Sequence, residues 1–117
     1  MEPTIFHKFA TGEVKPTTKV YFEDEDTLAF ASNAPTAPVH IVIISKKVDM
    51  ASIAEMKEEQ IPEVGRLVYV AKQIAEELGI AESGYKLGIN VGAGGGQTVF
   101  YLHLHLVAGK QIDREVL

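Results

Sequence analysis

From Val99 to Val107 the chain alternates residue by residue. Phe100, Leu102, Leu104 and Leu106 fall on one side, and Tyr101, His103 and His105 on the other. Side chains along a strand point to opposite faces with period two. The stretch is therefore expected to be a strand with one leucine face and one face carrying two imidazoles and a phenol, about 6.5–7 Å between successive rungs of a face. Further strands are expected over residues 19–22, 27–31, 39–44 and 85–91, the first two forming a hairpin across the acidic turn Glu23-Asp24-Glu25-Asp26. Helical spacing appears twice. Ile5, Phe6, Phe9 and Ala10 predict a short helix capped by Thr4 and stopped by Gly12. Ile61, Val64, Val68, Ala71, Ile74, Ala75 and Leu78 predict the buried stripe of a long helix, with Pro62 in its first turn and Gly79 just past its end. Residues 50–56 suit another short helix. Asn33, Pro35 and Pro38 mark a loop before the third strand, and Gly94-Gly95-Gly96 another before the fifth. The pattern predicts an α+β fold: a five-stranded antiparallel sheet, one long and one or two short helices on one face, and a histidine face open to a cleft.

Composition narrows the class without changing that picture. The chain has 117 residues, enough for one domain, residues 1–117, with one core. A net charge of −5 argues against a general nucleic-acid binder, which carries a basic stripe. With no cysteine there is neither a disulfide nor a thiolate metal site. No basic stretch followed by a long apolar run opens the sequence, and its longest apolar run, Ile41 to Ile44, is too short to span a bilayer. A soluble cytoplasmic protein is expected, with the nucleus also open, and no membrane or nucleic-acid partner.

The candidate chemistry lies on the histidine face. A lone strand histidine is usually a solvated polar residue, and His40 and His7 each read most simply as structural. Two imidazoles on adjacent rungs can bind a metal or do acid–base and nucleophilic work. The glycines offer backbone N–H groups to an anion, and Asn90, Gln97 and Thr98 add neutral hydrogen-bond groups nearby. That combination suits a phosphate ester, where imidazole is a competent nucleophile near neutral pH and aimed donors stabilise charge on the phosphoryl oxygens. A metal held by His40, His103 and His105 is the alternative.

The run Gly-Gly-Gln-Thr-Val-Phe-Tyr-Leu-His-Leu-His-Leu-Val-Ala-Gly, residues 95 to 109, resembles the signature of the histidine-triad (HIT) nucleotide-binding proteins, and most of all their Hint branch. Ile5-Phe6-His7-Lys8 with Gly12-Glu13-Val14, Tyr21 to Phe30, Ala37-Pro38-Val39-His40 with its following strand, and Gly84 to Asn90 resemble further blocks of that family, in order. The resemblance implies a homodimer with a sheet continued across it, binding a purine nucleoside monophosphate and hydrolysing nucleoside phosphoramidates through a nucleotidyl-histidine, without a cofactor. It implies His103 as nucleophile, His105 on phosphate oxygens or the leaving group, and His40 orienting and protonating the triad. Asn90, Gly96, Gln97 and Thr98 would line the phosphate side. Phe6, Phe9, Val14 and Phe30 would wall the base, with Ser32 and Asn33 beside the ribose. A nucleotide sensor or scaffold with weak turnover and a dinucleoside polyphosphate hydrolase are the competing functions. Three departures stand out. Tyr101 occupies the first triad position, and Ser32 the place of the branch's ribose-binding aspartate. The tail, residues 110–117, lacks the tryptophan-bearing ending of some relatives. Zinc-binding relatives carry an early Cys-x-x-Cys where this chain has Thr4 and His7, so no such zinc is expected.

Overall fold

The computed structural model describes residues 3–109, so the expectation about the tail lies outside the described residues. In chain order the elements are α1 (Ile5–Thr11), β1 (Val20–Glu23), β2 (Thr27–Ala31), β3 (Val39–Ser45), α2 (Ile61–Glu77), β4 (Lys86–Gly88) and β5 (Leu104–Ala108). Single 3-10 turns lie at Ile53–Glu55, Glu58–Gln60 and Ala93–Gly95. The sheet runs β1-β2-β3-β5-β4, and every neighbouring pair is antiparallel. The histidine strand β5 is thus bonded on both sides. No helix among the described residues is long and apolar enough to cross a membrane.

Both faces of the sheet are covered, which corrects the expectation of helices on one face. On one side Ala29, Ile41, Ile43, Leu102, Leu104 and Leu106 pack with Leu67, Val70, Ala71 and Ile74 of α2. On the other, Leu28, Phe30, Val42, Ile44 and Tyr101 pack with Phe6, Phe9 and Ala10 of α1. The reason is visible in the two central strands: Leu28-Ala29-Phe30 and Ile41-Val42-Ile43-Ile44 are unbroken apolar runs, and a strand buried on both faces reads that way. α1 forms where expected. The Thr4 hydroxyl accepts the His7 N–H, the His7 ring accepts the Thr4 N–H, and Gly12 closes the helix in the left-handed conformation.

Other expectations shift. The stripe of α2 that faces the sheet is Leu67, Val70, Ala71, Ile74 and Ala75, while Ile61 (55% exposed), Val68 (44%) and Leu78 lie outward. The helix carries two adjacent apolar stripes, and spacing alone does not say which one meets the sheet. β4 is three residues long, and within residues 50–56 only a 3-10 turn at Ile53–Glu55 forms in place of a helix. β5 begins at Leu104, not Val99. Ahead of it the backbone finds other partners. The Leu102 N–H donates to the Met50 carbonyl (2.7 Å), and the Val99 carbonyl accepts from the Gln97 side chain (3.0 Å). The alternation of side chains nevertheless persists from Tyr101, with Leu102 in the α2 core and Tyr101 on the α1 side, while Phe100 turns outward.

Candidate active site

The pairing of β3 with β5 sets Val42 opposite His105 and His40 opposite Val107. His40 and His105 therefore share a face, diagonally placed, with His40 Nε2 2.9 Å from His105 Nδ1. The other nitrogen of His40 accepts the backbone N–H of Thr36 (3.1 Å). His103 stands over the same face, its ring centroid 4.8 Å from that of His105. Its Nδ1 lies 2.8 Å from the carbonyl oxygen of Tyr101. A carbonyl only accepts, so this nitrogen carries the proton and donates, and in the neutral ring Nε2 keeps its lone pair.

Burial favours the uncharged form of all three rings. It pushes His105 down to about 4, the nearby His103 and His40 adding to the effect. It also lowers His103, against the pull of the Tyr101 carbonyl, and lowers His40, with His103 contributing. At neutral pH the cluster is therefore three neutral imidazoles, one of them with a lone pair held outside its own hydrogen bond.

The aromatic residues expected around a base converge on this cluster. Phe6 meets His103 edge-on at 5.1 Å and Phe30 at 5.5 Å, and Phe9 meets Phe30 at 5.1 Å. Val14 lies past the end of α1, 37% exposed, its N–H donating to the Lys8 carbonyl. Ser32 is tied to β3: its N–H donates to the His40 carbonyl (2.9 Å), and its hydroxyl accepts from Ala34 (3.1 Å). Asn33 is exposed beside it.

The glycine loop is built differently from the expectation that its amides cradle an anion. The N–H groups of Gly95, Gly96 and Gln97 donate within the turn, to Gly92, Ala93 and Gly92. Gln97 is 4% exposed and fully engaged: it accepts from Gly92 (2.9 Å) and donates to Ala51 (2.6 Å) and Val99 (3.0 Å). Asn90 donates to the Gly95 carbonyl (2.8 Å). These side chains shape the loop, and Thr98 follows it on the exposed side.

Tyr101 shares the histidine face, but its phenol is buried, donates to the Ser45 carbonyl, and is pushed up to about 12, chiefly by burial and then by Asp49. What the residue gives His103 is its backbone oxygen. His7 stacks edge-on against the phenol at 4.7 Å and bonds Asp49 (3.0 Å), which is a structural role. The sequence reading missed two contributors, the Thr36 amide and the Tyr101 carbonyl. Both are backbone groups, which leave no signature in residue type.

A family model described as "HIT domain" matches residues 13–112. Over 95% of its length the chain is 45% identical to a "14 kDa zinc-binding protein" of Zea mays, 41% to "Adenylylsulfatase HINT1" of Arabidopsis thaliana and 39% to "Purine nucleoside phosphoramidase" of Escherichia coli, covering 85%, 74% and 91% of those proteins. Among solved structures it is similar to a HIT family hydrolase from Legionella pneumophila, with a TM-score of 0.89 and 38% identity, covering 96% of this chain and 97% of that one. The maize protein's name mentions zinc. Here the donor set does not fit that ion, since among the described residues no group of three or more His, Cys, Asp or Glu is placed to hold a metal. Both nitrogens of His7 and of His40 are already hydrogen-bonded.

Proposed function

The chain belongs to the HIT domain family, and from that premise we propose that it is a hydrolase of purine nucleoside phosphoramidates acting through His103. The names of the bacterial and plant relatives support a nucleotide hydrolase. The observation that carries the reading is the hydrogen bond from His103 Nδ1 to the Tyr101 carbonyl, because it fixes the free lone pair at Nε2.

Chemically the steps balance. His103 Nε2 attacks the α-phosphorus, the P–N bond to the amine breaks, and the amine departs with the bonding pair and takes up a proton. The histidine becomes a nucleotidyl-imidazolium whose charge the Tyr101 carbonyl stabilises through Nδ1–H. Water then attacks phosphorus, loses a proton, and releases the nucleoside monophosphate and neutral His103. His105 donates to a phosphoryl oxygen, and Thr98 borders the phosphate. Phe6, Phe9 and Phe30 hold the base, with Ser32 near the ribose. The working protein is a cytoplasmic homodimer.

The test is release of AMP from adenosine 5′-phosphoramidates of lysine by wild type and His103→Ala. The proposal predicts a loss of at least about 10³-fold, the scale on which a covalent nucleophile contributes. Equal rates would remove the nucleophile, and a preference for dinucleoside polyphosphates would replace the substrate class.

One observation favours a second reading, a nucleotide-binding sensor with weak turnover: the Tyr101 phenol is committed to Ser45 and supplies no imidazole to the site. Under that reading, calorimetry shows AMP binding without measurable hydrolysis, and Tyr101→His raises the rate.

A further inference from the structure

We infer that the backbone N–H of Thr36 locks His40 and His105 into one tautomer, making them a fixed hydrogen-bond donor aimed into the site and not a relay that passes protons. The consequence for turnover rests on the phosphoramidate reading; the lock itself does not.

The polarity begins at an atom whose role is fixed. A backbone N–H can only donate, and that of Thr36 donates to His40 Nδ1 at 3.1 Å. In the neutral ring that nitrogen is bare, and the proton sits on Nε2. His40 Nε2 faces His105 Nδ1 at 2.9 Å, so a donor meets an acceptor and the proton of His105 sits on its Nε2. The Thr36 hydroxyl, 3.5 Å from the same nitrogen, is the more distant group. Thr36 is thus a positioning residue, acting through its main chain.

A relay fails on proton count. Were His40 to hand its Nε2 proton to His105, it would be left an imidazolate, because the Thr36 amide cannot supply a proton to Nδ1. Nor does the pair take up a proton easily. The lone pairs at His40 Nδ1 and at His105 Nδ1 are each already accepting a hydrogen bond, so a new proton at either would face an N–H. Burial acts in the same direction. His103 has the opposite polarity, with Nδ1 facing a carbonyl. The site therefore sets a lone pair on His103 Nε2 beside an N–H on His105, a nucleophile for phosphorus and a donor for its oxygen. His105 keeps its proton as the P–N bond breaks, and the departing amine takes its proton from solvent.

The direct test is NMR of the full chain with 15N-labelled histidine rings at neutral pH, reading which ring nitrogen bears the proton, with signals assigned from single His→Gln variants. The expected result is Nε2–H on His40 and on His105, and Nδ1–H on His103. A proton on Nδ1 of His40 or His105, or signals averaged over both nitrogens, would overturn the lock. Thr36→Ala keeps the amide and should leave the pattern intact; a changed pattern would transfer the role to the hydroxyl and overturn the amide. Thr36→Pro removes the N–H and should release His40 into mixed tautomers. If that variant does not fold, the parent protein and Thr36→Ala still decide. Turnover gives a separate readout, since a side-chain amide donates but cannot relay. His105→Asn should stay within about tenfold of wild type with a lysine phosphoramidate of AMP, and His105→Ala should lose about 10²-fold or more. Equal losses would overturn the donor role. A protein with no phosphoramidase activity would fail the functional reading while the NMR result still stood.

Discussion

His103, just ahead of β5, and His105 within it stand on one face with their rings 4.8 Å apart, yet their surroundings differ in kind. The first presents its Nδ1 to a carbonyl, and the second receives an N–H there from His40. In the proposed mechanism, that difference decides which ring attacks and which donates. Residue type made both histidines legible as chemistry in the sequence. Their division of labour was not, because the Tyr101 carbonyl and the Thr36 amide set it. The same holds for Tyr101, whose placement on the face followed from alternation, while its withdrawal to Ser45 depended on packing. Burial has a thermodynamic consequence as well. Folded His105 titrates near 4 against an ordinary 6.5, so between those values the unfolded chain binds more protons. Stability is full above about pH 6.5 and falls as pH drops toward 4, by up to about 1.4 kcal/mol per pH unit for each such group, with His40 and His103 acting in the same sense. Urea denaturation at pH 7.5 and pH 5 should show a lower midpoint at pH 5, and His105→Gln should shrink that gap. An unchanged gap would mean that His105 is not shifted. Asp24, the carboxylate lowered by its hydrogen bond from Arg66, loses its contribution only below about pH 4 and does not interfere.

Some elements are plain in the sequence and others are not, for physical reasons. α1 announced itself through Thr4 and Gly12, and the β1–β2 hairpin through its acidic turn. The orientation of α2 was ambiguous because Ile61 and Val68 continue an apolar stripe next to the buried one. Alternation predicts β5 too long because it survives where pairing has stopped, with Leu102 bonded to the Met50 loop. The far end of β5 is held by a close approach that no periodicity reveals. Gly109 has φ +99°, and a Cβ there would sit 2.8 Å from Pro38 Cβ. Pro38 leads into β3, two residues before His40. Gly109→Ala should therefore cost more than the roughly 1–3 kcal/mol of left-handed strain alone. Gly12→Ala, equally left-handed at φ +81° but with nothing within 4 Å, should cost that strain and no more. Thermal melts of the two variants compare them directly, and equal losses would remove the Pro38 contact from the account.

At the scale of the whole molecule, the antiparallel five-stranded class followed from pattern, but the strand order did not. Insertion of β5 between β3 and β4 is a long-range pairing, and nothing local to residues 85–109 encodes it. That order leaves β4 at an edge of the sheet. It also leaves Ile61, Val68 and Tyr69 (53% exposed) on the outward side of α2. If the protein is a homodimer, as proposed, these exposed apolar side chains are the surface on which it would form. Val68→Glu should halve the mass measured by light scattering while leaving the far-ultraviolet circular dichroism of the fold unchanged. A parent protein already monomeric at micromolar concentration would contradict the dimer without touching the histidine site.

The claim on which the functional account turns is that His103 Nε2 bonds to phosphorus during turnover. Rapid acid-free quenching of the protein with a lysine phosphoramidate of AMP, followed by mass spectrometry of its peptides, reads that bond directly. The account predicts a transient adenylyl group on His103, formed before AMP is released and missing from His103→Ala. Steady release of AMP with no adduct on His103 at any time, or an adduct on His105 instead, would contradict it.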